Sequence, residues 1–422
     1  MDDFRSRDGE LFCEDVAIAR IAASVGTPVY IYSRHTLVDH FRRLRDAFAA
    51  VKPLVRYAVK ANGNLAILRA LADEGAGFDV VSMGEIHRVL EAGGDPSRID
   101  FAGVGKTREE IRYALEAGID TFNVESEGEL DLIDDVARSL GTTARIALRV
   151  NPDVDPQTHT YISTGKKGSK FGLDFVRARG IAESLSESVG VRLVGLHVHI
   201  GSQITTVAPH VEMVGRVLAL AEDLRGFHPH LKSINIGGGF GIHYREGEAP
   251  AMTDYADLMV PMLKESGFEV HMEPGRILVG NAGVLVTSVV YTKPSHDKRF
   301  VICDAAMNDL IRPSLYDAFH RIEPVRARPG DSGPIDLVGP VCESGDFLAK
   351  DREFPPVESG DLIAVRSAGA YGFVMASNYN ARPRAAEVMV DGGRFAVVRE
   401  RETLDDLVRG EHAEPAWVEG DA

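Results

Sequence analysis

Four segments of the chain end in residues equipped for chemistry. Lys60 closes the short apolar run Val55-Arg56-Tyr57-Ala58-Val59-Lys60. A lysine at the end of a buried strand is either ion-paired, the common case at a barrel rim, or it has a lowered pKa and reacts as an amine. Gly237-Gly238-Gly239-Phe240-Gly241 allows close backbone approach, and its successive N–H groups can form a nest for an anion. By itself such a run is more often a tight turn. His197 and His199 are two apart, on one face of a strand. As a metal pair they would need further ligands, and only Asn151-Pro152-Asp153 and Glu273 are on offer. A flat imidazole stacked on a flat cofactor accounts better for one of them, with the other a hydrogen-bonded core residue. Glu273-Pro274-Gly275-Arg276 brings a carboxylate, whose bland reading is an ion pair with Arg276. An amine, an anion nest with the Ser202 hydroxyl beside it, an aromatic stacker and a carboxylate for a ring nitrogen together describe a pyridoxal 5'-phosphate site without a metal.

These residues need a frame that brings strand ends together. Eight apolar runs, at 55–60, 78–82, 99–103, 121–125, 145–150, 193–200, 233–237 and 269–273, alternate with helical patterns. Ser33 can cap a helix whose Leu37, Phe41, Leu44 and Phe48 form one stripe. Thr107-Arg108-Glu109-Glu110 has capping-box spacing, and Gly118 stands where that helix should stop. The pattern predicts an α/β chain with a (β/α)8 TIM-type barrel, whose chemistry lies on the loops after the strands. A doubly wound sheet is the alternative, but no GxGxxG turn follows the first strand. After Gly280 strands recur without long helices, at 283–291, 299–304, 335–339, 361–366 and 386–399, the last broken by Asp391-Gly392-Gly393. A strand at 27–32 precedes the barrel and can join them. The expected domains are a barrel over 34–280 and a mostly β, Greek-key-like domain made of 1–33 and 281–422.

Composition bounds the function class. The 422 residues are 44% hydrophobic and 26% charged, with net charge −16 from 47 Lys+Arg against 63 Asp+Glu. An acidic chain without a basic cluster is a poor nucleic-acid binder. No apolar run is long enough to span a bilayer, and no basic segment precedes an apolar core at the start. Cys13, Cys303 and Cys342 are widely spaced, which fits a reduced cytoplasm.

The motifs together resemble the fold-type III pyridoxal phosphate decarboxylases. They are Tyr57-Ala58-Val59-Lys60-Ala61-Asn62, His197-Val198-His199-Ile200-Gly201-Ser202, the 237–241 glycines and Glu273-Pro274-Gly275-Arg276. Further motifs narrow the resemblance to the diaminopimelate decarboxylases. They lie at 159–165, at Arg312-Pro313-Ser314-Leu315-Tyr316, at Cys342-Glu343-Ser344-Gly345-Asp346-Phe347, and at 378–384. One departure is Ala306 before Met307, where the family pattern has glycine. The resemblance implies that Lys60 carries the cofactor and that His197 packs on its ring. It places Gly238, Gly239, Ser202, Pro274, Gly275, Arg276 and Tyr371 around the cofactor, over Glu273. It implies an external aldimine, a quinonoid carbanion after CO2 loss, and Cys342 as the acid that protonates it. It also implies a homodimer in which the Cys342 loop serves the partner's site.

Charge separates the substrates. Arg276, Arg312 and Tyr316 suit a distal carboxylate, Glu343 suits a distal ammonium, and Tyr371 is expected to touch the substrate as well as the cofactor. A far end with both is meso-2,6-diaminopimelate; the resemblance implies that its decarboxylation gives L-lysine, the last step of lysine biosynthesis. For Arg312 alone the bland reading is a surface residue before a proline. A racemase on this fold would want arginine at the ring nitrogen, against Glu273. A non-enzymatic relative has no need of Cys342. A decarboxylase for carboxynorspermidine is the nearest rival.

Overall fold

The structure, a computed structural model, describes residues 2–155, 170–185, 188–245, 247, 249–295 and 298–418. The 159–165 motif lies outside the described residues. The chain starts with a small antiparallel sheet of β1 (Phe4–Arg7), β2 (Glu10–Cys13) and β3 (Val16–Ala17). Asp8 and Gly9, at φ 50° and 78°, form the two-residue turn between β1 and β2. β4 (Val29–Ser33) follows, and its last residue caps the next helix: Ser33 Oγ accepts from the Thr36 N–H at 3.0 Å. On that helix, Arg34–Ala47, the expected stripe is buried, Leu37, Phe41 and Leu44 included, with Phe48 just beyond it.

Eight parallel strands then form the barrel. They are β5 (Leu54–Ala58), β6 (Gly77–Val80), β7 (Ile99–Phe101), β8 (Thr121–Val124), β9 (Ala144–Arg149), β10 (Val191–His197), β11 (Ser233–Asn235) and β12 (Glu269–Met272). The sheet closes where β12 pairs with β5. Between β7 and β8, Thr107 and Glu110 make the expected capping box, and Gly118 ends the helix at φ 76°. The strands stop earlier than the apolar runs suggest. β5 ends at Ala58 and Lys60 sits in a short 3-10 turn, Val59–Ala61; β10 ends at His197. The residues after those points leave the ladder and build the barrel mouth.

The second sheet contains β13 (Gly283–Ser295), β14 (Lys298–Cys303), β15 (Ile322–Pro324), β16 (Gly333–Val338), β17 (Phe347–Phe354), β18 (Leu362–Val365), β19 (Ala386–Asp391) and β20 (Arg394–Arg399). It is mixed: β13 and β14 run antiparallel, while β14 and β16 run parallel. β4 lies inside it, antiparallel to β13 and parallel to β19. Thus a strand from the start of the chain completes a sheet made mostly from its end. Ala306, the departure from the family pattern, is fully buried; a Cβ built on Gly339 would meet its Cα and Cβ at 2.6 Å. Ala306 thus packs directly on the Gly339 backbone, where a side chain on 339 would collide with it. Among the described residues no helix is long and apolar enough to cross a membrane.

Candidate active site

The barrel mouth collects the strand-end residues. Lys60 Nζ donates to Asp79 Oδ2 at 2.6 Å; Asp79 lies on β6 and is fully buried, while 35% of the Lys60 side chain is exposed. Loss of solvent disfavours the ammonium, but Asp79 and then Glu273 outweigh it and hold Lys60 above its ordinary value. In this geometry Lys60 is the paired lysine of the two readings. Its charge is parked on Asp79.

Glu273 follows β12 and is buried. Its Oε1 accepts from Asn235 at 2.6 Å and from Asn123 at 3.4 Å, and His197 Nε2 lies 2.9 Å from Oε2. Burial, with Asp79 adding, pushes the Glu273 carboxyl up to about 7. Burial and then Arg149 pull His197 down to about 3, so the imidazole is neutral. The contact is a hydrogen bond between a neutral ring and a carboxyl group, not an ion pair. Among the described residues no ion pair joins Glu273 to Arg276.

His197 is therefore misplaced as the ring stacker. It is buried beneath Glu273, whereas His199 lines the cavity that also holds Lys60, Ser202, Gly239, Glu273, Gly275, Arg276 and Tyr371. The reason is where the strand stops: β10 ends at His197, and His199 lies two residues beyond it, where the chain has left the ladder and enters the mouth. Burial and then Lys60 hold His199 well below its ordinary value, and its Nδ1 accepts from the Gly238 N–H at 3.2 Å.

The glycines are dictated by close approach. A Cβ at Gly238 would lie 2.2 Å from the Glu273 carbonyl oxygen, and one at Gly239, where φ is +92°, 2.5 Å from that of Gly201. His210, a residue the sequence reading passed over, braces this loop. Its Nε2 lies 3.1 Å from the Gly238 carbonyl oxygen, and its ring stacks on Phe240 with centroids 4.9 Å apart. A lone histidine in the helix Ala208–Arg225 carries no signal of that role.

Arg276 is buried. It donates to the Tyr244 hydroxyl oxygen at 2.6 Å and to Ser202 Oγ at 2.9 Å, and lies 4.7 Å from the Tyr371 ring centre. Its Nε is buried without a hydrogen-bond partner among the described residues. Tyr371, at φ 56°, donates its N–H to the Ala61 carbonyl at 2.8 Å, tying the second domain to the Lys60 turn. Arg312 is buried too, not a surface residue. Its guanidinium lies 4.8 Å from the Tyr244 ring, and its Nη1 is 2.9 Å from His320 Nε2. Tyr244, also passed over, thus joins two arginines. Burial works against the Arg276 charge, but Tyr244 and Tyr371, and less so Tyr316, hold it above its ordinary value. Pro274 and Gly238 adjoin the cavity in sequence. Cys342 and Glu343 are exposed and do not line the Lys60 cavity of their own chain. The Cys342 N–H donates to Asn380 Oδ1 at 2.7 Å. Cys303 is the contrasting thiol, fully buried, with burial pushing it up to about 12.

One group of carboxylates, Asp79, Asp100 and Glu273, has oxygens within 4.8 Å of one another, all buried. Lys60, His197 and the asparagines already engage them.

The family model of the pyridoxal-dependent decarboxylase, pyridoxal binding domain, matches residues 34–280. A diaminopimelate decarboxylase of Pseudomonas aeruginosa is 50% identical over 98% of this chain and 100% of its own. The chain belongs to the diaminopimelate decarboxylases. Among solved structures, the Helicobacter pylori diaminopimelate decarboxylase complexed with L-lysine is 42% identical, with a TM-score of 0.90 over 93% of this chain and 98% of that one. A second, from M. jannaschii in co-complex with L-lysine, is 38% identical, with a TM-score of 0.93 over 98% of both chains.

The cavity fits pyridoxal phosphate on its own terms. It offers an amine at Lys60, a carboxyl at Glu273, glycine backbone that no side chain could replace, and the unpartnered Nε of Arg276 for an anion.

Proposed function

We propose that the protein removes CO2 from meso-2,6-diaminopimelate and yields L-lysine, the last step of lysine biosynthesis. The observation that carries this is a pair of buried arginines, Arg276 and Arg312, that both meet Tyr244, with Arg276 in the wall of the Lys60 cavity. A substrate ending in a single cation has no use for them. One ending in a carboxylate does.

Pyridoxal 5'-phosphate, when bound, supplies the electron sink that makes loss of CO2 from an α-carbon feasible. The rest is work for the protein. Lys60 Nζ must shed a proton before it can act as a nucleophile, and Asp79 Oδ2, at 2.6 Å, is the acceptor in reach. Glu273 would face the ring nitrogen and hold its proton there, with His197 and Asn235 fixing the two carboxyl oxygens. His199, rather than His197, would pack against the ring. The 238–239 backbone, Ser202, the 273–276 turn and Tyr371 would hold the phosphate. Arg276, Arg312, Tyr316 and Tyr371 hold the distal carboxylate, and Glu343 the distal ammonium. Cys342 returns a proton to the substrate carbon. Because Cys342 and Glu343 do not line the cavity of their own chain, this reading needs a homodimer in which each subunit lends its 342–346 loop to the other. Glu343 and Cys342 are exposed, as groups that reach across a subunit boundary must be in a single chain.

The test is CO2 release from meso-diaminopimelate, lysine, ornithine and arginine, side by side. Diaminopimelate is expected to be preferred by at least about 100-fold, the scale set by leaving buried charge unpaired. Preference for ornithine overturns the reading. Arg312→Leu removes one charged partner, so KM for diaminopimelate is expected to rise about 10–100-fold with a smaller change in kcat. An unchanged KM removes Arg312 from the substrate site.

A further inference from the structure

Beneath Glu273 lies a polar layer that the reaction outlined above does not use. Asp100, on β7, is fully buried. Its Oδ2 accepts from Asn235 at 3.0 Å and from Asn123 and Arg56 at 3.3 Å. The same two asparagines donate to Glu273 Oε1, so the two carboxyl groups are bridged twice. Asp100 Oδ1 is buried and receives no hydrogen bond. The two carboxyls stand within 4.8 Å of each other and of Asp79. Arg56, also fully buried, anchors the far side. It bonds Asp120, the Arg98 carbonyl and His271 Nδ1 as well as Asp100.

The charge does not balance without a proton. Three carboxyl groups face the Lys60 ammonium and one edge of a guanidinium that Asp120 also engages. Like charges this close in a dry interior cannot all ionise. An acceptor oxygen with three donors on its twin and nothing on itself is where the proton fits. We infer that Asp100 is a positioning residue for Glu273: a single proton sits on Asp100 Oδ1 and bridges to the Glu273 carboxylate, while Arg56 and the two asparagines lock Asp100 in place. The proton stays bonded to Asp100, and no bond to carbon is made or broken. Burial pushes Asp100 well above the usual carboxylate range; Arg56 opposes this, and Glu273 and Asp79 add to it. The other charged or titratable groups facing the pair are Lys60, Arg149, His197 and His271. The two histidines are held neutral by burial, so they cannot supply the missing charge.

This inference rests on the reading of Glu273 as the group facing the cofactor ring. Its effect is to keep Glu273 anionic toward the mouth, and so competent to hold the ring nitrogen's proton. The test uses full-length holoenzyme. Asp100→Asn is expected to lose one buried carboxylic-acid carbonyl band from the infrared difference spectrum against wild type at pH 7. It is also expected to shift the pH midpoint of the cofactor's near-visible absorbance by about one unit, a tenfold change in proton affinity. Retention of the band overturns the inference. Should Asp100→Asn not fold, the paired Arg56→Met, Asp100→Leu variant removes cation and acid together and carries the same two readouts. Glu273→Gln separates the premises. If it leaves the absorbance midpoint unchanged, the placement of Glu273 at the ring fails, whatever Asp100 does.

Discussion

Replacing Lys60 by alanine abolishes the near-visible absorbance of the holoenzyme and its CO2 release together. The two readouts are tied because one nitrogen is responsible for both. Loss of a covalent anchor of this kind costs about 10⁴-fold or more in turnover. An intact absorbance band in this variant sinks the Schiff-base assignment. The structure adds a second consequence. Asp79 is fully buried, and Lys60 is its ion-pair partner among the described residues. Stripping that cation leaves a carboxylate that must take up a proton, since an uncompensated buried charge costs about 3–5 kcal/mol. Circular dichroism should therefore show a folded protein that is less stable than wild type, and an unchanged melting temperature would mean that the Lys60–Asp79 pair contributes nothing to the fold.

The second large effect is expected at Cys342. Alanine there should leave the absorbance band in place and cut turnover by about 10²–10⁴-fold, the usual worth of a positioned proton donor. Near-normal turnover rejects it as the acid. Its place outside the Lys60 cavity of its own chain permits a sharper version. Mixing inactive Lys60→Ala and Cys342→Ala subunits under exchange should restore about a quarter of the wild-type rate. Half of the dimers formed at random are mixed, and each mixed dimer has one site with both residues intact. No recovery would mean that Lys60 and Cys342 act within a single chain.

The barrel was readable from its apolar runs and their caps because each helix start carries its own local chemistry, as at Ser33 and Thr107. The site was readable where a residue type admits few uses, as with Lys60 and the 237–239 glycines. Besides His210 and Tyr244, three things escape a reading of the sequence. Asp8-Gly9 is a strong hairpin signal, but the strands beside it are short and charged, so no alternation marks them. The two histidines part because β10 ends at His197 and it is His199 that lines the cavity; periodicity does not show where the ladder stops. The polar layer of Arg56, Asp79, Asp100, Asn123 and Asn235 went unweighed. Each is a single polar residue inside an apolar run, where neighbours from other strands supply the partners. Only the closed barrel brings these five together.

β4 has an implication for how the molecule comes into being. During synthesis it emerges early, yet its sheet neighbours β13 and β19 follow only after the whole barrel has been made. Until then it is an unpaired hydrophobic edge, the kind of surface that seeks other chains. The barrel, whose strands pair largely in chain order, can form first and hold β4 out through the helix that Ser33 caps. Release from the ribosome before Ala386 leaves β4 bonded on one side only. The protein's vulnerability to aggregation is thus greatest for chains interrupted late, when nearly all of the active site already exists.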